Sequence, residues 1–324
     1  MVVEIVKFKG ANDSSMKIIF YSPDKNIQPW LDEIAAALPR AEIWAWTPQC
    51  AARQADYAVL WAPPLELFAS QRQFKAVFNI GAGVDRVMTI SHLLAGVPIV
   101  RLNDAGMAVQ MAEYVCHALF RFARGLDGYE AQANNAVWKQ HGPIDRAAFP
   151  VGVMGLGEIG ARVAHAVASF DYPTFGWSRT LKSCPGVTTF AAKEGLDKFL
   201  RSARVLVCVL PLTDATEGIL NVTTLSTLKP NGYLINVARG KHLVDIDLLT
   251  MLDSGHLAGA TLDVFCEEPL PSGHEFWAHP KITITPHISA ITLRAQSVAQ
   301  IAQKIAALER GDAIDGVVET LRGY

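Results

Sequence analysis

Three polar residues in the second half of the chain each follow an apolar run typical of a buried strand. Arg239 follows Y-L-I-N-V-A, Glu268 follows L-D-V-F-C-E, and His287 follows I-T-I-T-P. In a parallel sheet the carboxyl ends of the strands share one edge, and open α/β sheets bind their ligands there. We therefore expect Arg239, Glu268 and His287 to lie close together although they are far apart in the sequence.

The three side chains suit hydride transfer to a 2-oxo acid. Arg239 could hold a carboxylate through two parallel hydrogen bonds and polarise the neighbouring carbonyl group. His287 could donate a proton to the oxygen that becomes an alkoxide, because imidazole gains and loses its proton near neutral pH. Glu268 could orient the imidazole and favour its protonated form. Each could instead be a solvated residue at a strand end, but together, beside a nucleotide site, they indicate catalysis.

A nucleotide site is predicted by a G-x-G-x-x-G motif between a strand and a helix. The six residues of the motif are Gly155, Leu156, Gly157, Glu158, Ile159 and Gly160. Gly155 would form the tight turn, Gly157 would let the backbone approach a pyrophosphate, and Gly160 would let helix and strand pack closely. A glycine-rich turn is the alternative, but the strand before the motif and the strands after it favour a dinucleotide site.

The end of the next strand, G-W-S-R-T-L-K, indicates which dinucleotide is bound. An NAD site usually has an acidic residue here for the ribose 2′-OH, whereas this chain has Ser178, Arg179, Thr180 and Lys182. Arginine can donate several hydrogen bonds to a 2′-phosphate, and the two hydroxyl groups could add neutral ones. A solvated basic loop is the alternative. Behind an intact glycine motif, the segment favours NADPH/NADP⁺, with NADH bound more weakly.

A second glycine-containing turn, F-N-I-G-A-G-V-D, follows a strand near the amino terminus. Small residues at this position would expose backbone N–H groups to the carboxylate of a substrate in the same cleft. The residues of this turn are Gly81, Ala82, Gly83 and Val84. An ordinary turn without a ligand is the alternative.

From Met16 onward, short apolar runs alternate with helical patterns, which predicts βαβ units and parallel sheets. A first group of strands is expected at Lys17–Tyr21, Glu42–Trp46, Tyr57–Trp61, Ala76–Ile80 and Ile99–Leu102. A second group is expected at Pro150–Met154, Thr174–Trp177, Val205–Leu210, Tyr233–Val237, Ala260–Phe265 and Ile282–Thr285. Long helical patterns run from about Val109 to Ala133 and from Leu293 to Leu308.

These elements predict the α/β class with two doubly wound parallel-sheet domains, a Rossmann-type cofactor domain inserted in a flavodoxin-like substrate domain. The substrate domain would comprise residues 16–104 and 291–324, because the last helix follows a complete sheet. The NADP-binding domain would comprise residues 105–290, with a dimerisation helix and arm at about 108–140. Residues 1–15 are expected to be a leader or tag, with a short extra strand as the alternative.

Composition excludes several classes of function. The 324 residues carry a formal net charge of −2, which gives no electrostatic footprint for nucleic acid or an anionic membrane. No apolar run is long enough to span a bilayer. The five cysteines are scattered and form no C-x-x-C pair, so we expect reduced thiols, a cytoplasmic location and no metal site.

From Met16 to Tyr324 the chain resembles the D-2-hydroxyacid dehydrogenase family. The resemblance is carried by Gly81–Asp85, Gly155–Gly160, Asn236–Gly240, Leu262–Pro269 and Thr285–His287. Agreement is closer with its bacterial NADPH-preferring glyoxylate and hydroxypyruvate reductases, at Trp61–Pro64, Trp177–Thr180, Pro286–Thr292 and Arg322–Tyr324. One departure is Met111-Ala-Glu113, where many relatives have a β-branched residue before Ala-Glu.

The resemblance implies roles for individual residues. Arg239 would bind the substrate carboxylate, His287 would be the acid/base, and Glu268 its partner. The backbone of Ala82, Gly83 and Val84 would contact the substrate. Trp46 and Trp61 could narrow the pocket or simply pack in the core. Five further residues are assigned to the cofactor site: Leu210, Pro211, Ala238, Asp263 and Ala290. A homodimer is expected around the helix after Ala108, with Trp138 on an arm that could reach the partner.

The sequence thus predicts an NADPH-dependent enzyme that reduces small 2-oxo acids, glyoxylate to glycolate and hydroxypyruvate to D-glycerate. One alternative is another D-2-hydroxyacid dehydrogenase, of the D-lactate or phosphoglycerate type. The lack of an acid at Ser178 argues against NAD, and the lack of an appended regulatory domain argues against a regulated phosphoglycerate enzyme. A non-enzymatic NADP(H) sensor is a further alternative, but it would not need Arg239, Glu268 and His287 together.

Overall fold

The computed structural model describes residues 16–50, 53–71, 73–81 and 83–319. The predicted leader, Ala82 and the carboxyl-terminal motif Arg322–Tyr324 lie outside these residues. The chain divides into two compact units. Unit 1 contains the described residues up to Gly106 and those from Thr292 onward, and unit 2 is Met107–Ile291.

Unit 1 is built on a five-stranded parallel sheet with the strand order β2-β1-β3-β4-β5. The strands are β1 Lys17–Tyr21, β2 Glu42–Ala45, β3 Tyr57–Leu60, β4 Ala76–Asn79 and β5 Ile99–Arg101. The helices are α1 Gln28–Ala37, α2 Leu65–Ser70, α3 Asp85–Met88 and α10 Arg294–Glu309. All four residues of β3 and of β4 are buried, as expected for strands covered on both faces.

The last helix completes unit 1. Helix α10 packs against α1, and the guanidinium of Arg294 donates to Glu33 across their contact at 2.6 Å. Beyond the helix the chain returns to the sheet, where Val317 forms an antiparallel bridge with Val100. Unit 1 is therefore assembled from both ends of the chain.

Unit 2 is built on a seven-stranded parallel sheet with the order β12-β11-β10-β9-β6-β7-β8. Its strands are β6 Val151–Met154, β7 Thr174–Ser178, β8 Thr188–Ala191, β9 Val205–Cys208, β10 Gly232–Asn236, β11 Leu257–Leu262 and β12 Ile282–Ile284. Its helices are α4 Met107–Ala123, α5 Leu126–Asn134, α6 Glu158–Ala168, α7 Ala192–Ser202, α8 Val222–Thr227 and α9 Asp245–Asp253. The order reverses between β6 and β9, which places the ligand crevice of a doubly wound sheet after these strands.

The structure confirms the two parallel-sheet domains and corrects two details. The sequence predicts six strands in the second sheet, whereas the structure has a seventh, β8, at its edge. The sequence T-T-F-A lacks the apolar run of a central strand because an edge strand is only partly covered. The predicted helix Val109–Ala133 is instead two helices, because the chain turns at Gly125 with a φ of +61°.

Candidate active site

The glycine motif forms a tight turn between β6 and α6. Gly155 has a φ of +103°, and a Cβ there would lie 2.7 Å from the carbonyl oxygen of Val209. A Cβ on Gly160 would overlap the carbonyl oxygen of Gly155. Both positions therefore require glycine, one for its backbone conformation and both for the close approach of neighbouring backbone.

Gly157 differs from the other two glycines because no protein atom lies within 4 Å of the position of its Cβ. It is the N-cap of α6, and its φ of −72° suits any residue. The turn therefore leaves open space directly at the amino terminus of a helix, where backbone N–H groups and the helix dipole favour an anion. Buried Leu156 fills the space over Gly176. This cradle fits the pyrophosphate of a dinucleotide.

The end of β7 and the segment after it carry the predicted cofactor-selecting residues. Arg179, Thr180 and Lys182 are exposed, whereas Ser178 is buried. The Ser178 hydroxyl donates to the carbonyl oxygen of Thr180 at 2.7 Å. Its single proton is therefore engaged within the turn, and Ser178 shapes the segment rather than offering a donor to a phosphate. The exposed donors of the segment are Arg179, Thr180 and Lys182.

Arg239 lies in a short turn after β10, and its side chain is half-buried. Its guanidinium donates to the carbonyl oxygen of Ala238 at 2.7 Å. The turn is fixed by buried Asn236, whose amide group donates to the carbonyl oxygen of Arg239 and accepts from the Ala238 N–H. A buried side chain with both hydrogen-bonding functions engaged holds one conformation, because the alternative leaves polar groups unsatisfied.

His242 is fully buried beneath the same turn. The Arg239 N–H donates to Nδ1 of His242 at 3.2 Å, so we assign the ring proton to Nε2. Nε2 then donates to the carbonyl oxygen of Pro211 at 3.3 Å. His242 thus ties the arginine turn to the loop after β9, where Leu210 is buried and Pro211 exposed.

Gly240 brings the arginine turn against the loop that carries Glu268. A Cβ on Gly240 would overlap the backbone of Phe265 and Cys266. The Phe265 N–H in turn donates to Oε1 of Glu268 at 3.0 Å. The absence of a side chain at Gly240 therefore allows direct backbone contact between the loops that follow β10 and β11.

The other carboxylate oxygen of Glu268 lies 2.8 Å from Nδ1 of His287. The imidazole is 44% exposed, and its Nε2 is the ring nitrogen left to meet a ligand. His287 has a φ of +55°, which costs a residue other than glycine about 1–3 kcal/mol. Its N–H donates to the carbonyl oxygens of Asp263 and Thr285 at 2.9 and 3.1 Å, which holds the strained backbone in place.

Asp263 is completely buried after β11 and organises the histidine loop. Oδ1 accepts from the Thr285 hydroxyl and the Ile288 N–H, and Oδ2 accepts from the Ser289 N–H. The Asp263 N–H donates to the carbonyl oxygen of Asn236. One residue therefore connects the carboxyl ends of β10, β11 and β12.

Unit 1 contains the other predicted turn, at the end of β4. Asn79, which is 1% exposed, donates from its amide to the carbonyl oxygens of Gly81 and Gly83 at 2.8 and 3.0 Å. The ring of Trp61 occupies the space where a Gly81 side chain would lie. Val84 is buried and caps α3. The predicted contact at Ala82 lies outside the described residues.

The remaining predicted site residues are placed as follows. Trp46 packs against the unit 1 core and lies edge-on to Tyr21, with 5.7 Å between the ring centroids. Ala238 is buried, Ala290 packs against the unit 2 core, and Glu158 and Ile159 form the first turn of α6. Trp138 is 96% exposed.

Among the described residues, no three His, Cys, Asp or Glu side chains lie together as a metal site would require. Over that same part of the chain, no helix is long and apolar enough to cross a membrane.

Several residues that shape the site were not predicted from the sequence. They are Asn79, Asn236, His242, Tyr114 and Thr285. For Asn79, Asn236 and Thr285 a signal existed, since each is a polar residue at the end of a strand. Tyr114 and His242 depend on contacts that their local sequence does not indicate.

The chain is similar to known dehydrogenases along most of its length. Residues 116–289 match the family model described as D-isomer specific 2-hydroxyacid dehydrogenase, NAD binding domain. A protein of Yersinia enterocolitica named glyoxylate/hydroxypyruvate reductase A is 44% identical over 314 residues, 95% of this chain and 100% of that protein. A protein of the same name from Serratia proteamaculans is 45% identical over the same shares.

Solved structures of dehydrogenases are also similar to this chain along most of its length. A D-isomer specific 2-hydroxyacid dehydrogenase of Xanthobacter autotrophicus, in complex with NADPH and MES, has a TM-score of 0.90 and 35% identity, covering 96% of this chain and all of that one. An NADPH-dependent glyoxylate/hydroxypyruvate reductase of Sinorhizobium meliloti, in complex with NADP and sulfate, has a TM-score of 0.88 and 35% identity, covering 95% and 100%. The chain belongs to the D-isomer specific 2-hydroxyacid dehydrogenase family and is an oxidoreductase that acts on CH–OH groups.

Proposed function

We propose that the protein reduces small 2-oxo acids with NADPH, glyoxylate to glycolate and hydroxypyruvate to D-glycerate. The observation that carries the proposal is the Glu268–His287 pair, which engages Nδ1 and leaves Nε2 for a ligand. A proton donor held at the carboxyl edge of a dinucleotide-binding sheet is what reduction of a carbonyl requires. The names of the relatives that cover this chain indicate the same substrates.

In the proposed reaction His287 supplies the proton. A nicotinamide cofactor held at the glycine turn Gly155–Gly160 would supply the hydride that the carbonyl carbon needs. The carbonyl oxygen takes the proton from Nε2 of His287, so that the carbonyl group becomes a hydroxyl group and the imidazole becomes neutral. The Glu268 carboxylate fixes the ring orientation and stabilises the protonated imidazole before transfer.

Arg239 binds the carboxylate of the substrate in this proposal. A guanidinium presents its donors in a planar fork, which matches the two oxygens of a carboxylate. Asn236 and His242 hold the backbone of Arg239 from below, which restricts the positions its side chain can reach. In unit 1, we assign substrate contacts to the backbone of Gly83 and Val84.

The cofactor preference rests on Arg179. The glycine turn fits the pyrophosphate, and the segment Ser178–Lys182 presents basic side chains in solvent with no carboxylate. Guanidinium–phosphate hydrogen bonds are charge-assisted, and a 2′-phosphate offers them where a 2′-hydroxyl group does not. We therefore expect NADPH to be used in preference to NADH.

We further propose that the protein is a homodimer. The arm after α5 exposes large apolar side chains, with Trp138 at 96% and Val137 at 50%. Exposed apolar groups of this size are typical of association surfaces. Light scattering coupled to size exclusion tests this, and a monomeric mass at micromolar concentration would contradict it.

A two-cofactor, multi-substrate assay tests the proposed reaction. Oxidation of NADPH and of NADH is followed at equal concentrations with glyoxylate, hydroxypyruvate, pyruvate and 3-phosphohydroxypyruvate. We expect the highest kcat/KM with NADPH and either of the first two acids. Absence of turnover with every 2-oxo acid would overturn the enzyme assignment, and preference for pyruvate with NADH would favour the D-lactate alternative.

A further inference from the structure

A chain of hydrogen bonds runs from helix α4 to the loop of His287. The hydroxyl group of Tyr114 lies 2.5 Å from Oγ1 of Thr285, and that oxygen lies 2.5 Å from Oδ1 of Asp263. Tyr114 and Thr285 are 171 positions apart in the sequence. All three residues lie in unit 2.

The direction of each hydrogen bond follows from the number of protons. A threonine hydroxyl has one proton, and here it is donated to the carboxylate of Asp263. Tyr114 must therefore be the donor to Thr285, whose oxygen accepts. Burial raises the pKa of Tyr114 to about 12, so its hydroxyl keeps the proton that this donation needs.

Asp263 connects these hydrogen bonds to the loop that contains His287. Its carboxylate also binds the N–H groups of Ile288 and Ser289, and its carbonyl oxygen accepts from the His287 N–H. Thr285, two positions before His287, is anchored to this carboxylate by its hydroxyl group, and Ile288 and Ser289, directly after His287, are anchored by their N–H groups. The strained backbone of His287 is thus held on both sides by one buried carboxylate.

We propose that Tyr114 and Thr285 are positioning residues for the proton transfer, acting through Asp263 to hold His287 in its left-handed conformation. The inference rests on the proposed role of His287. It adds two residues that touch neither substrate nor cofactor in our assignment. Because they act through the orientation of His287, their loss should lower kcat with little effect on the affinity for NADPH.

The chain offers a matched control in the same unit. Tyr233 and Thr261 form a second tyrosine–threonine pair, which is buried, with 2.8 Å between the two hydroxyl oxygens. Tyr233 also contacts α4, since its ring stacks on Phe122 with 4.3 Å between centroids. The described hydrogen bonds of this pair do not reach Asp263 or His287. Tyr233→Phe therefore removes the same group from another tyrosine–threonine pair without removing a described hydrogen bond of Asp263 or His287.

The experiment compares Tyr114→Phe, Thr285→Val, Thr285→Ser and Tyr233→Phe in the full-length protein. We measure kcat and KM with glyoxylate and the Kd for NADPH by quenching of tryptophan fluorescence. Loss of one net hydrogen bond should reduce kcat by about three- to tenfold for Tyr114→Phe and by about tenfold or more for Thr285→Val. Thr285→Ser, which keeps the hydroxyl group, should recover kcat to within about twofold, and the NADPH Kd should stay within about twofold throughout.

The double variant sharpens the test. Because Tyr114 acts through Thr285, Tyr114→Phe should cost nothing further once Thr285 is valine, and kcat of the double variant should equal that of Thr285→Val. Tyr233→Phe should leave kcat at the wild-type value. Multiplicative losses, an equal loss in Tyr233→Phe, or failure of Thr285→Ser to recover kcat would each overturn the positioning role.

A separate variant distinguishes this inference from the proposed function. If His287→Ala lowers kcat strongly while Tyr114→Phe and Thr285→Val do not, His287 is the proton donor and the inference alone fails. If His287→Ala retains the wild-type kcat, the proposed proton donor is wrong and the inference fails with it.

Discussion

Oε2 of Glu268 lies 2.8 Å from Nδ1 of His287, and the second oxygen of the same carboxylate accepts the Phe265 N–H. The carboxylate is therefore oriented by backbone on one side while it orients the imidazole on the other. This is the arrangement expected of a group that sets which ring nitrogen carries the reacting proton.

Glu268→Gln tests this relationship. The amide oxygen can still accept the Phe265 N–H, but the NH₂ group then faces Nδ1 and cannot stabilise an imidazolium. We expect kcat to fall about ten- to hundredfold, with KM for the 2-oxo acid within about threefold. The neighbouring Glu267→Gln removes the same charge from an exposed position and should leave kcat unchanged. Equal kcat values for the two variants would contradict the role of Glu268.

Arg239→Lys tests carboxylate binding. Lysine keeps the positive charge but loses the planar fork, so bidentate binding is lost. We expect KM for glyoxylate to rise at least about tenfold, as loss of one charge-assisted hydrogen bond would produce, while the Kd for NADPH stays unchanged. Arg201→Lys makes the same substitution at an exposed position of α7 and serves as the control. An unchanged KM in Arg239→Lys would remove the arginine from the substrate site.

The fold could be predicted because central parallel strands are buried on both faces and therefore appear as apolar runs, as V-L-V-C of β9 does. The same reasoning missed β8, since an edge strand needs no such run. It also merged α4 with α5, because the spacing of apolar residues continues through Gly125 although the helical conformation is interrupted there.

The site was predictable only in part. The proximity of Glu268 and His287 could be predicted because each follows an apolar strand, and neighbouring parallel strands end at the same edge of the sheet. Tyr114 and His242 could not, since their roles depend on hydrogen-bond partners brought together by the folded sheet. For Ser178 the residue type alone was misleading. A serine here suggested a hydrogen-bond donor to phosphate, but its hydroxyl group donates to the carbonyl oxygen of Thr180.

Two alanine substitutions in the glycine motif should have different effects: Gly160→Ala should lower the stability of the fold, and Gly157→Ala should weaken cofactor binding. A methyl group at position 160 would overlap the Gly155 carbonyl, so the free energy of unfolding should fall by about 1–3 kcal/mol. At position 157 the methyl group enters open space, so the thermal midpoint of the free protein should not change. The Kd for NADPH should nevertheless rise at least about tenfold in Gly157→Ala, because the methyl group occupies the place proposed for the pyrophosphate. An unchanged Kd would show that the pyrophosphate lies elsewhere.

Arg179→Asp tests the choice of cofactor. The substitution removes a guanidinium from the end of β7 and introduces a carboxylate, which repels a 2′-phosphate and can accept a hydrogen bond from a 2′-hydroxyl group. We expect the ratio of kcat/KM for NADPH to that for NADH to fall at least about tenfold, with KM for glyoxylate nearly unchanged. Lys198→Asp makes the same change of charge at an exposed position of α7 and controls for the overall electrostatic field of the protein. If both variants shift the ratio equally, the preference is a general effect of charge, and if neither does, Arg179 does not select the cofactor.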